Sequence, residues 1–189
     1  MNPASLEELR WTLADLEYFP DNGNRYEIID GEVFVTRAPH IKHQDVAGLI
    51  YAALLQWSLQ SKLGKPFMTP GVIFSEFDAV IPDVIWISHE RQAELIDDSG
   101  HLTGAPELIV EVLSLSEKDK KRDRVNKLKL YSRQGVMEYW IADRERPSLE
   151  IYRRENGLLT KAMILYKEDQ LASPLLPGFS CEVASLFGS

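Results

Sequence analysis

The chain carries a single cysteine, Cys181, among its 189 residues. One thiol cannot close an internal disulfide, and it cannot build a multi-cysteine zinc site. No run approaches the roughly 18 consecutive apolar residues of a membrane span. A basic excess is missing too: 21 Lys and Arg face 29 Asp and Glu, a formal net charge of −8. That balance argues against a protein that coats nucleic acid nonspecifically. It leaves room for one local basic patch, because net charge governs solubility and long-range steering rather than a single cleft. There is no Gly-rich phosphate loop, and Gly31, Gly64 and Gly71 read as turn glycines. Ser114 and Ser116 lack a G-x-S-x-G context, which argues against a serine hydrolase. The stretch MNPASLEELRW is acidic and polar where a secretory signal would be basic and then apolar, so a cytoplasmic location is expected.

What remains is a composition with 44% hydrophobic and 26% charged residues, enough apolar mass for one domain with a real core. Ser5 to Phe19 is expected to form a helix, capped by Ser5 with Glu8 three residues on. RYEIID and EVFVTR flank Asp30-Gly31, a strong hairpin signal. Apolar residues recur at helical spacing from about His43 to Leu63, with Gly64-Lys65-Pro66 as the expected stop. Strands are expected at Phe67 to Glu76 and Val80 to Ser88, and a short helix at Glu90 to Asp98. Pro106 to Leu113 is apolar on both faces, hence a central strand. A charged helix follows from about Lys118 to Gln134, closed by Gly135, and then a second buried strand from Val136 to Ala142. A polar hairpin near Leu149 to Arg154 and a strand near Leu159 to Tyr166 complete the pattern. The strand–helix–strand unit from Glu107 to Ile141 reads as a parallel crossover. The class is α/β with a mixed sheet.

Three acids interrupt apolar strand runs: Glu27 in RYEIID, Asp83 in VIPDVIWI and Glu111 in ELIVEVL. A buried carboxylate must find a partner or lose its charge. Each could simply pair with an arginine or cap a nearby backbone group. Three together also suit one hard cation, Mg²⁺ or Mn²⁺. If the strands carrying Asp83 and Glu111 are neighbours, these two acids could lie side by side.

The helix after Glu111 is the basic part of the chain. Eight Lys and Arg against three Asp and Glu lie between Glu117 and Arg133, a local +5. On a wheel with Val125 at zero, Lys118, Arg122, Lys129 and Arg133 fall near about 20–80° and read as solvated. Lys127 falls near about 200°, between Leu130 and Tyr131, and reads as facing the protein. That placement suits a catalytic ammonium, and equally a lysine laying its methylenes on an apolar surface. His40 and His43 lack a nameable third metal ligand and read as surface or capping residues. Trp57, Trp86, Tyr139 and Trp140 sit in apolar runs and read as core.

Pro82-Asp83 followed by Glu111-Val112-Leu113 resembles the core of the PD-(D/E)XK nuclease superfamily. RYEIIDGEVFV, VIPDVIWIS, GAPELIVEVLS, the spacing Asp123…Lys127…Tyr131, GVMEYWIAD and SPLLPGF, in that order, are similar to the Uma (Uma-two) family of restriction-endonuclease-like proteins, common in cyanobacteria. The superfamily's lysine position is occupied here by Leu113, and Lys127 from the following helix is the candidate to fill its space. The resemblance, which runs from about residue 20 to the C-terminus, implies a restriction-endonuclease-like fold, a central mixed sheet flanked by helices; with the helix expected at 5–19, the chain reads as a single nuclease-like domain with a core over about 25–143 and a C-terminal β-rich extension at 148–189. It implies Mg²⁺ (or Mn²⁺) held by Asp83, Glu111 and the Val112 carbonyl, with Lys127 catalytic and Glu27 a helper acid. The implied activity is that of an endonuclease on DNA, with a nuclease for RNA, branched or single-stranded DNA and a catalytically silent binding module as alternatives. Lys120, Lys121, Arg122 and Arg124 are the expected contacts to the nucleic-acid backbone. A homodimer is expected, because cutting two strands calls for two sites.

Overall fold

The computed structural model describes residues 9–188. The Asp30-Gly31 turn joins β1 (Arg25–Ile29) to β2 (Glu32–Thr36) in register, with Ile29 opposite Glu32. Both turn residues have positive φ, 54° and 78°, the two-residue geometry that matches strand twist and that Asp-Gly tolerates. Then come α1 (Ile41–Ser61), β3 (Gly64–Met68), β4 (Val72–Ser75), β5 (Asp78–Val80), β6 (Val84–Ser88) and the short α2 (His89–Leu95). The crossover unit is β7 (Leu108–Val112), helix α3 and β8 (Glu138–Asp143). Helix α3 is built from Glu117–Lys121, a π-helical turn Arg122–Lys127, and Leu128–Gln134. β9 (Ser148–Glu155), β10 (Leu158–Tyr166), β11 (Gln170–Ala172) and β12 (Ser180–Glu182) follow.

Six strands form the main sheet in the order β10-β9-β8-β7-β6-β3, and four form a second sheet in the order β2-β1-β5-β4. In the main sheet β7 and β8 run parallel and the other neighbours antiparallel. Period-2 alternation splits β7 between two cores. Leu108, Val110 and Val112 pack with Val46, Ile50 and Leu54 of α1 and with Phe179 of the C-terminal segment. Ile109 and Leu113 pack with Leu130 and Tyr131 of α3 and with Ile29 and Phe34 of the second sheet. All of β7 is buried, as expected of a strand apolar on both faces.

Several elements depart from the sequence reading. Of the helix expected at Ser5 to Phe19, residues 5–8, with Ser5 and Glu8, lie outside the described residues, and within residues 9–19 there is only a 3-10 turn, Leu13–Tyr18, with no buried residue. Thr12 and Asp15 make its cap, at 2.7 and 2.8 Å. α1 stops at Ser61, before Gly64, because Lys62 takes the left-handed cap. Gly64 instead opens β3, where a Cβ would meet the Ile87 carbonyl oxygen at 2.3 Å. The strand expected from Phe67 to Glu76 is cut at Thr69, whose φ is 49°. The one expected from Val80 to Ser88 is cut at Pro82, which cannot donate to a ladder. Leu149 to Arg154 is no hairpin but one side of the long β9/β10 pair, which turns at Asn156-Gly157.

Candidate active site

The break at Pro82 sets Asp83 just ahead of β6, one step beyond the pairing of Val84 with Val110 in β7. Asp83 is fixed from three sides. Its carbonyl accepts from the Thr69 N–H at 3.0 Å. Its Oδ2 accepts from the Val112 N–H at 2.9 Å and lies 3.2 Å from His43 Nε2. Arg25 Nη1 stands 3.9 Å from Oδ1. The neighbouring strand β7 supplies Glu111, whose Oε1 accepts from Lys127 Nζ and from the Tyr131 hydroxyl, both at 2.8 Å. Lys127 and Tyr131 are four apart on α3, so they meet the same partner from one helix face. From β1, Glu27 Oε1 accepts the Ile81 N–H at 2.8 Å and lies 2.8 Å from Lys127 Nζ. The three acids of the apolar runs thus converge, two of them directly on Lys127. Each also has a partner of the plain kind: a backbone N–H for Asp83 and Glu27, an ammonium for Glu111.

Lys127 faces inward as the wheel indicates and is only 1% exposed. Arg122 does not follow the wheel: it is buried against Asp123 at 3.1 Å, Asp119 at 3.2 Å and the Thr36 hydroxyl at 3.0 Å. The π turn between them is the reason. It absorbs one extra residue, which rotates the first part of the helix by about 100° relative to the last part. Arg122 thereby moves from about 60° to about 160°, into the sector of Leu130 and Lys127. The other expected backbone contacts lie along α3. Lys120 pairs with Glu117 and Glu145, Arg124 pairs with Glu150 and Asp143, and Lys121 is exposed. His40 caps α1, its Nδ1 accepting the Lys42 N–H at 3.1 Å. His43 is neither a surface nor a capping residue. It is buried on Asp83, and its Nδ1 has no hydrogen-bond partner among the described residues. The signal was available, since His43 shares the helical spacing of Val46, Ala47 and Ile50, all buried. Leu113 is packed in the core, and so are Trp57, Trp86, Tyr139 and Trp140.

Four carboxylates of this cluster are buried, Glu27, Asp83, Glu111 and Asp123, against two buried permanent cations, Lys127 and Arg122. The surplus of negative charge shows in the proton affinities. Burial, opposed by Lys127 but reinforced by Asp83, Asp123 and Glu27, pushes the Glu111 carboxyl up to about 8. For Asp83 the upward push of burial is outweighed by His43, the Val112 N–H and Lys127, so its carboxyl is held below the usual range. For Lys127 the downward push of burial is outweighed by Glu111, Glu27 and Asp123, so the ammonium holds its proton more tightly than usual.

Among the described residues, no three His, Cys, Asp or Glu side chains stand as a ready metal cage. The donor chemistry nevertheless fits a hard divalent ion. Asp83 Oδ1 and Glu111 Oε2 take none of the hydrogen bonds above, both acids line one cavity of about 240 Å³ together with Val112, and the cluster is short of positive charge.

A mixed sheet whose parallel crossover gathers buried carboxylates around a lysine defines a restriction-endonuclease-like α/β domain. A family model described as "Putative restriction endonuclease" matches residues 12–184, and the chain belongs to that family, Uma2. No curated protein matches the chain. Among solved structures it is similar in fold to "a putative nuclease belonging to DUF820" from Anabaena variabilis. The TM-score is 0.74 at 16% identity, over 93% of this chain and 97% of that one. Among the described residues no helix is long and apolar enough to cross a membrane.

Proposed function

We propose that the protein is a divalent-metal-dependent endonuclease that hydrolyses phosphodiester bonds in DNA. The observation that supports this best is Lys127. An ammonium delivered from α3 stands 2.8 Å from Glu111, beside Asp83, while Leu113 leaves the superfamily's lysine position apolar. Asp83, Glu111 and the Val112 carbonyl would hold Mg²⁺ or Mn²⁺. When bound, such an ion supplies Lewis-acid neutralisation of phosphoryl charge and a more acidic water. The protein's own groups do the rest. Lys127 stays protonated, so it donates and does not act as a base. It donates to Glu111 and pairs with Glu27 at 2.8 Å, and a remaining N–H serves the attacking water or a phosphoryl oxygen as charge builds there. Tyr131 holds Glu111 in place, and the Val112 N–H and His43 hold Asp83. Glu27, 2.8 Å from the same ammonium, anchors Lys127 from β1, a positioning role.

The test incubates the pure protein with supercoiled, linear and single-stranded DNA and with RNA, in Mg²⁺ or Mn²⁺. Cleavage of DNA, removed by EDTA and by Asp83→Asn, is expected. Cleavage confined to RNA or to branched or single-stranded DNA would move the substrate assignment. A second reading is a catalytically silent DNA-binding module, favoured by the fact that Lys127 is already engaged 2.8 Å from both Glu111 and Glu27. Binding without cleavage of any substrate would establish it.

A further inference from the structure

The positive charge of α3 is largely spent inside the protein. Lys120 lies 2.7 Å from Glu145, Arg124 lies 2.7 Å from Glu150, and Arg122 is buried among Asp123, Asp119 and Thr36. Uncommitted positive charge sits elsewhere on the cavity that holds Asp83 and Glu111. Besides the committed Arg122, three arginines line it, each from a different part of the chain: Arg25 at the start of β1, Arg37 just after β2 and Arg144 just after β8. Among the described residues, Arg37 and Arg144 form no ion pair, and Arg25 comes no closer to a carboxylate than 3.9 Å, from Asp83. Arg144 Nε is enclosed and has no hydrogen-bond partner. A guanidinium N–H withdrawn from water without an acceptor is costly, and a bound anion removes that cost. At about 240 Å³ the cavity falls below the roughly 300–1,000 Å³ of pockets that enclose a whole small ligand. It suits one stretch of a polymer's backbone.

We propose that Arg25, Arg37 and Arg144, rather than the basic side chains of α3, form the site that grips the DNA phosphodiester backbone on either side of the bond to be cut. The inference rests on the endonuclease reading for its substrate. Guanidinium groups suit the role because they engage phosphate oxygens through two parallel N–H donors. Such contacts set the strand's position and read no sequence.

The test measures binding in EDTA, apart from cleavage. A fluorescein-labelled 12-nucleotide DNA single strand and its duplex are titrated by anisotropy between 50 and 200 mM NaCl. Arg37→Gln combined with Arg144→Gln should weaken binding at least roughly tenfold and reduce the salt slope by about 1.4 for the single strand and about 1.8 for the duplex, the values for two lost phosphate contacts. Lys129→Gln, which removes an exposed α3 charge outside the cavity, should change neither. If the double variant melts early, Arg37→Glu alone, at an exposed position, should still lower affinity and slope. Unchanged binding in these variants, an equal loss in Lys129→Gln, or no binding by the wild type would overturn the assignment. The two readings fail separately. A wild type that cleaves while the arginine variants bind as it does sinks only this inference. Arginine-dependent binding with no cleavage sinks only the nuclease reading.

Discussion

Glu111 has a carboxyl pushed up to about 8 by burial and by the acids around it, so its ionisation is linked to folding. Unfolded, it releases its proton near its ordinary value of 4.5. Between those values the folded state binds more protons than the unfolded state, so its contribution is full below about pH 4.5 and is lost as pH rises towards 8. Asp123, also raised by burial, acts in the same direction. Stability in EDTA, from urea midpoints, should therefore fall from pH 5 to pH 8, and Glu111→Gln should fall less steeply. A wild-type profile that is flat or rising over that range would contradict this account of the cluster. At this scale the sequence was only partly readable. Acids inside apolar runs marked Glu27, Asp83 and Glu111, because a charge among Ile and Val needs a reason. Lys127 was readable because it is the last residue of the π turn and keeps regular helical spacing to Leu130 and Tyr131 in the segment that follows. His43 was missed because histidines near a helix start commonly serve as caps, and only His40 does so here.

The π turn in α3 is the element that no periodicity announces. It adds one residue to a turn and costs regular hydrogen bonding, and such turns recur at functional sites. Here it brings both Arg122 and Lys127 to the acids, whereas a regular helix would present one to the site and the other to water. The hairpin at Asp30-Gly31 and the crossover from β7 to β8 were legible because turn chemistry and two-faced apolarity are local signals. The cut at Thr69 and the opening of β3 at Gly64 depend on the neighbouring strand β6, which no local pattern reveals. Two glycines separate these cases by measurement. Gly48, inside α1, has open space around a would-be Cβ, so Gly48→Ala should stabilise by about 0.5–1 kcal/mol through helix propensity. Gly64→Ala drives a Cβ against the Ile87 carbonyl and should cost about 1–3 kcal/mol. Urea melts of the two variants give the opposite signs; equal signs would mean that β3 and β6 separate without penalty.

Taken whole, the molecule has a formal charge of −8 and concentrates four carboxylates in its interior at the point where the two sheets and α3 meet. Such a surplus is tolerable where positive charge is delivered, by Lys127 and Arg122 from the chain and, on the function proposed above, by a hard divalent ion from solution. The most direct measurement of this claim is anomalous diffraction from crystals soaked in Mn²⁺, with Asp83→Asn crystals treated identically. The expected result is a strong peak within bonding distance of Asp83, Glu111 and the Val112 carbonyl in the wild type, absent from the variant. No peak at these residues, in crystals of a protein that cleaves DNA in the same Mn²⁺ buffer, would contradict the account.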